Sequence, residues 1–310
     1  MGETRKIQSI GGMTYSLSLP KQWVQKNKLK KQSEVYVDED FDGTLKIRPS
    51  APLEDKSKKI FTLRLIDYPD CIDKVLFSAY YLGAETIHIV SEETINAETR
   101  LNIKNILKYL SGTEIIYEDE KTIQIKMFLA EDKINIKQLF FRTLLLLSNE
   151  VDNLQAKKSQ KEAEIAEEEV DRLYHLISKM LILSLHNKHF LATAKIDKEL
   201  YIVSYFLIGK KLENLGDIFY RFAVGKEYQK IDSNAKKILA LIKQILQKYT
   251  RFFLQEDTKI ELINEFQAIF TILQNMEKNM MRNYLEESVR YLKDINEEFI
   301  NIHFFGQHVK

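Results

Sequence analysis

The chain of 310 residues is long enough for two or three domains with a substantial buried core. Its 46 Lys and Arg balance 45 Asp and Glu, a net charge of +1, so attraction to a charged partner has to come from local clustering. The single cysteine, Cys71, excludes an internal disulfide and any cysteine-rich zinc site, and apolar blocks such as Leu144 to Leu147 are far too short to span a bilayer.

The opening residues MGETRKIQSIGG lack the apolar core of a signal peptide, so a cytoplasmic, reducing location is expected. All four prolines lie in the first 69 residues, and only four of the ten glycines come after Gly112. Proline and glycine punctuate turns and interrupt helices, so the chain should pass from compact β-containing modules to long helices. The expected fold class is therefore α+β and multidomain, with residues 1–50, 59–131 and 135–305 as its domains.

In residues 1–50, Thr4 to Ile10 and Tyr15 to Leu19 read as strands around Gly11-Gly12, with Leu17 and Leu19 alternating against Ser16 and Ser18. Pro20 then opens a short helix through Trp23 and Val24. Glu34 to Val37 and Thr44 to Ile47 form a hairpin around Asp42-Gly43. Basic residues gather at the front: Arg5, Lys6, Lys21, Lys26, Lys28, Lys30 and Lys31 stand against Glu3 alone in the first 32 positions. A unit this short in apolar side chains should not fold well alone.

The order Arg5-Lys6-Ile7-Gln8, Gly11, Ser16-Leu17-Ser18-Leu19-Pro20-Lys21-Gln22-Trp23, a strand, Asp42-Gly43 and Leu45-Lys46-Ile47 resembles a SpoVT/AbrB domain. The resemblance implies a swapped-hairpin β-barrel built by two chains, with basic residues of the homodimer facing DNA. On that analogy Arg5, Lys6 and Lys21 contact phosphate or base edges. Clustered cations of this kind supply a salt-dependent, largely sequence-independent attraction to DNA. The alternative is a solvated lysine-rich face on a domain that only dimerises.

Residues 49–59 (PSAPLEDKSKK) are polar and rich in breakers, hence a linker. Residues 60–130 read strand (Ile60 to Ile66), helix (Asp70 to Leu82), strand (Thr86 to Val90), helix (Ala97 to Leu110) and a hairpin (Glu114 to Tyr117, Thr122 to Phe128). This βαβαββ order suggests a small α+β sandwich serving as spacer or dimerisation platform, since it holds no phosphate loop, nucleophile motif or metal-ligand spacing.

From Asn135 onward the pattern is helical: Asn135 to Lys157, Ser159 to Ser184, Asp197 to Lys226, then, after a polar break at Glu227 to Ser233, Ala235 to Leu254, Lys259 to Arg282 and Tyr284 to Asn301. Six helices joined near 230 suggest two antiparallel three-helix bundles. In the third helix Val203, Phe206, Leu207, Leu215, Ile218 and Phe222 supply the apolar face. Glu213 and Asp217 stand four apart on that helix, and Glu167 and Asp171 repeat the spacing on the second. If those helices pack antiparallel, four carboxylates converge, an oxygen-rich set suited to magnesium, manganese or iron. Glu164 with Glu168 competes as an acid pair, and a solvated acidic face paired to Lys210 and Lys211 is the alternative.

Leu212-Glu213-Asn214-Leu215-Gly216-Asp217 is similar to the Leu-Glu-Arg-Ile-Gly-Asp signature of PhoU proteins, and Glu167 to Leu173 suits that family's other acidic helix. The resemblance spans roughly residues 135–305. It implies two three-helix repeats, metal clusters held by acids four apart, and a role in regulating phosphate uptake through a transporter or its signalling partner. A basic β head ahead of such a body resembles archaeal phosphate-regulator proteins. In the second repeat Lys293 stands where the first acid belongs and Glu297 where the Asp belongs, so one intact cluster, in the first repeat, is expected. Arg221 stands where the family usually has Asn, and a cation there would weaken metal binding or neutralise the acids.

His175, four residues after Asp171, is a candidate nitrogen ligand. No Glu-x-x-His pair occurs in the helical half, Glu85 and His88 would point to opposite faces of a predicted strand, and no Ser/His/Asp set or activated cysteine is evident, so an enzyme is not expected. The leading reading is a cytoplasmic DNA-binding regulator of phosphate uptake with a metal-binding helical body. The alternatives are an adaptor that docks on a phosphate transporter or its partner without touching DNA and, more distantly, a metal-dependent phosphoesterase.

Overall fold

The computed structural model describes residues 4–12, 14–39, 43–49, 59–157, 159–254 and 259–308. The chain divides into two compact units, a head up to residue 57 and a body from residue 58 onward. Asp42 and most of the expected linker lie outside the described residues.

In the head, β1 (Gln8–Ile10) pairs antiparallel with β2 (Thr14–Ser16), and Gly11 and Gly12 turn the chain at φ 64° and 81°, a region that favours glycine. Both strands are shorter than the alternation suggested, because pairing stops at Gln8 opposite Ser16. Pro20 sits one residue ahead of helix α1 (Lys21–Lys26) and supplies the carbonyl that receives the Val24 N–H. β3 (Tyr36–Glu39) pairs antiparallel with β4 (Leu45–Arg48). The described residues thus form two separate two-stranded hairpins rather than a closed barrel. None of them is buried, and Ile7, Ile10, Tyr15, Leu17, Val37 and Leu45 stand 48–73 % exposed.

The body begins with a four-stranded sheet in the order β5 (Ile60–Arg64), β6 (Thr86–Val90), β8 (Thr122–Met127), β7 (Thr113–Glu118). β5 and β6 are parallel, the other pairs antiparallel. Alternation puts Ile87, Ile89, Ile123 and Ile125 on one face, with Ile87 opposite Ile125 and Ile89 opposite Ile123. Helices α2 (Ile72–Tyr81) and α3 (Ala97–Leu107) complete that core through Leu76, Tyr80, Ile103 and Ile106.

The helices that follow are α4 (Ile136–Ala156), α5 (Gln160–His186), a short α6 (Lys188–Thr193), α7 (Tyr201–Val224), α8 (Ser233–Phe253), α9 (Ile263–Gln274) and α10 (Met280–His308). Their ends follow local chemistry. Ser159 and Glu162 form a capping box on α5, and Asn187 and Asp232 accept backbone N–H bonds at the starts of α6 and α8. Asn279 Oδ1 accepts the Arg282 N–H at 2.9 Å, so the last two helices divide at 275–279 and not between Arg282 and Tyr284.

One continuous core runs through α4, α5, α7, α8, α9 and α10, so the two groups of three helices share an interior. α8 packs chiefly on α4, and α10 on α7. The buried face of α7 is Ile202, Tyr205, Ile208, Leu212, Leu215, Phe219 and Phe222. Val203 and Leu207, expected on that face, are 62 % and 40 % exposed. The start of α7 is apolar all round, so two stripes fit its sequence, and packing against α4, α5 and α10 selects between them.

Candidate metal centre and nucleic-acid interface

α5 and α7 run antiparallel. Gly209 lies opposite Ile177 and Gly216 opposite Val170, where an added Cβ would meet Ile177 Cγ2 at 3.7 Å and Val170 Cγ1 at 3.2 Å. This close approach puts the acids of the two helices on one side of the seam. Glu167, Asp171 and Asp217 each offer a carboxylate oxygen within 4.8 Å of the others, and all three are half-buried. Asp171 Oδ1 is buried without a hydrogen-bond partner. An orphaned carboxylate oxygen beside two further carboxylates is a donor set that fits a hard, oxygen-seeking cation.

Glu213 stands apart from this trio. Both its oxygens accept from Lys210 Nζ at 2.6 Å, and the same ammonium lies 5.1 Å from the Tyr174 ring. Three of the four acids thus converge and Glu213 pairs with Lys210, and among the described residues the Glu167, Asp171 and Asp217 carboxylates form no ion pair. Lys211 turns away to Asp294 on α10 at 2.5 Å. Arg221 donates to the Asp217 backbone carbonyl at 3.4 Å and approaches Glu287 at 3.7 Å, so it acts on the Asp217 carboxylate only from a distance.

Protonation follows this crowding. Burial, then the charges of Glu167, Glu213 and Asp217, push the Asp171 carboxyl up to about 8, opposed by Lys210. Burial, then Asp217 and neighbouring glutamates, raise Glu167. Burial raises Glu213 against its bond to Lys210, and raises Asp217 against Lys210 and Arg221. A bound cation would replace the missing countercharge and favour ionisation of all three acids of the trio.

His175 is placed elsewhere. Its Nδ1 meets the Tyr81 hydroxyl at 2.5 Å, and its ring stacks on Phe77 with centroids 4.0 Å apart. Tyr109 and Tyr174 close the cage at 6.3 and 5.3 Å. Burial, then Lys210, lowers the imidazole to about 4 and keeps it neutral. His175 thus joins the sheet module to α5 rather than supplying a ligand. Tyr109, raised by burial and then by Glu167 and Asp171, faces the acids from that module. Sequence gave no signal for Tyr109, because its proximity exists only once α2 packs on α5.

In the second half, Lys293 lies over the Phe270 ring at 5.4 Å, and Glu297 is exposed on α10. Among the described residues, no other group of three metal-binding side chains comes together. In the head, Arg5 and Lys6 lie just ahead of β1 and Lys21 is the first residue of α1; all three are exposed.

A family model described as "Antidote-toxin recognition MazE, bacterial antitoxin" matches residues 8–55, which takes in both head hairpins and α1. Lys21 falls inside the matched segment, and Arg5 and Lys6 just before it. No curated protein and no solved structure matches the chain. The head is an AbrB/MazE-like domain, compatible with DNA binding, joined to a largely helical body. Among the described residues, no helix is long and apolar enough to cross a membrane.

Proposed function

We propose that the protein is a dimeric DNA-binding regulator in which the head reads DNA and the helical body senses a signal. The observation that carries this reading is the state of the head: apolar strand residues and cations are exposed together, and no described residue is buried. Two such heads, exchanging hairpins into one closed barrel, would cover Ile10, Leu17, Val37 and Leu45. The same association would double the basic surface carrying Arg5, Lys6 and Lys21. The AbrB/MazE-like match supports the dimer and the DNA-binding role.

For the body, the trio Glu167, Asp171 and Asp217 would hold a divalent or iron cation, with Glu213 held by Lys210 beside it. When bound, that cation neutralises carboxylates that are otherwise partly protonated. The similarity of the Leu212 to Asp217 stretch to PhoU proteins supports phosphate homeostasis as the signal, a cytoplasmic location and a transporter or signalling protein as partner. No catalytic step is part of this role.

The test is DNA binding by the full chain across a salt series. Affinity that falls steeply with salt, with a shallower slope in Arg5→Ala and Lys21→Ala, is expected. Absence of affinity at low salt would leave the adaptor reading, in which the head only dimerises.

A further inference from the structure

The second half of the body holds a site that occupies the place of the acid cluster but has the opposite charge. Leu292 and Ile295 of α10 are fully buried, as are Leu212 and Leu215 of α7, so the two stretches sit alike in their helices. Lys293 then corresponds to Glu213. It faces α9, as the acids of α7 face α5. Between α9 and α10 lies a cleft of about 370 Å³, with Phe270, Leu273 and Val289 as its apolar floor and Arg282, Arg290 and Lys293 at its rim, where one carboxylate, Glu286, stands among them.

The rim charges differ in how firmly they are held. Arg282 is fixed: its Nε donates to Glu286 at 2.7 Å and its Nη1 to the Met276 carbonyl at 2.8 Å. Arg290 reaches Glu287 only at 3.6 Å and lies 5.2 Å from the Tyr291 ring, and Lys293 pairs with no carboxylate among the described residues, resting on the Phe270 ring. Phe270 itself is 42 % exposed on a soluble face. Two loosely held cations beside an exposed aromatic floor complement an apolar anchor flanked by carboxylates.

We propose that this cleft docks an acidic amphipathic helix of a partner protein. Apolar side chains of that helix fill the floor over Phe270, Leu273 and Val289, and its carboxylates pair with Lys293 and Arg290. On α10 the lining runs from Arg282 to Lys293, which at 1.5 Å per residue makes the groove about 16 Å long, or about three helical turns. Lys293 leaves the Phe270 ring as the anchor enters, so recognition of charge and opening of the floor are one event. The site stands independently of DNA binding by the head.

The probe is a labelled helical peptide of about four turns, with leucines at i and i+4 flanked by glutamates, titrated into the full chain and followed by anisotropy. The expected result is saturable binding that weakens with salt, at least tenfold weaker for the double variant Lys293→Glu, Arg290→Glu and for Phe270→Ala, and lost when the peptide glutamates become lysines. Unchanged far-ultraviolet dichroism of these surface variants separates loss of docking from loss of fold. Equal binding of the acidic and basic peptides, or no effect of the variants, would overturn the proposal. So would no peptide binding together with self-association that the double variant abolishes, which would give the cleft to a second copy.

Discussion

The head and the body solve the burial problem in opposite ways. In the body, Phe140, Leu212, Leu215, Ile242 and Leu292 are completely buried in one core that runs through six long or medium helices. In the head, the hydrophobic positions of β1 to β4 alternate as strands should, yet their apolar side chains stay largely in solvent. The lesson is that the same local rules yield a self-sufficient unit only where enough chain is present to cover each apolar face. The body covers its apolar faces within one chain, and the described residues of the head do not.

Core truncation sharpens that contrast most. Leu215→Ala should destabilise the body by about 2–5 kcal/mol, the usual range for a large-to-small change at a fully buried site. Ile10→Ala, at a residue 59 % exposed, should leave unfolding of a single chain within about 0.5 kcal/mol while weakening self-association. Urea titrations at two protein concentrations separate the two effects.

Next in size is the buried Lys179, whose ammonium pairs with Glu131 at 2.5 Å and lies 4.2 Å from the Tyr80 ring. Burial lowers its pKa, with Glu131 opposing. Glu131→Ala strands this ammonium and should cost about 3 kcal/mol, whereas Lys179→Met, which removes the charge and keeps the volume, should cost less. Thermal unfolding of both variants checks the order.

A smaller effect comes from pH. Asp171 titrates near 8 in the fold against 3.8 when unperturbed, so the folded state holds the extra proton between those values. Its contribution is full below about 4 and is lost as pH rises towards 8. His175 has the opposite sign: its folded value near 4 lies below 6.5, so stability is lost as pH falls through that interval. Asp171→Asn should remove the loss of stability between 3.8 and about 8 and leave the His175 contribution in place. Manganese should raise the melting temperature more at pH 8 than at pH 6, since protons compete for the same oxygens; an equal rise at both values would argue against the trio as its site.

The smallest change concerns the α5–α7 seam. Gly209→Ala meets its neighbours no closer than 3.7 Å and should stabilise by about 1 kcal/mol through helix propensity. Gly216→Ala meets the branched, buried Val170 at 3.2 Å, and most of that gain should vanish. Equal gains at both sites would mean that the seam is looser than described.

Much of this was legible because the signals were local. The alternation of Thr86 to Val90 and Thr122 to Met127 marked β6 and β8, and the spacing of Glu167 with Asp171 and of Glu213 with Asp217 marked the seam. What stayed hidden depended on partners distant in sequence. Val203 and Leu207 could not be told from the true buried face of α7, because packing against α4, α5 and α10 decides it. His175 could not be assigned to Tyr81 without knowing where α2 lands. Lys293 was readable as a lost acid, but its cleft forms only where the end of α9, from Phe270 to Gln274, lies beside α10.

The account rests most heavily on a head completed by a second chain, and sedimentation equilibrium of the full protein, run with and without duplex DNA, tests it most directly. The predicted result is a dimer that binds DNA, and an Ile10→Asp, Leu45→Asp variant that is monomeric, keeps a folded body and loses both self-association and DNA. A wild-type chain that stays monomeric at tens of micromolar, the low end of the concentrations at which unpaired strand edges associate, and still binds DNA would contradict it.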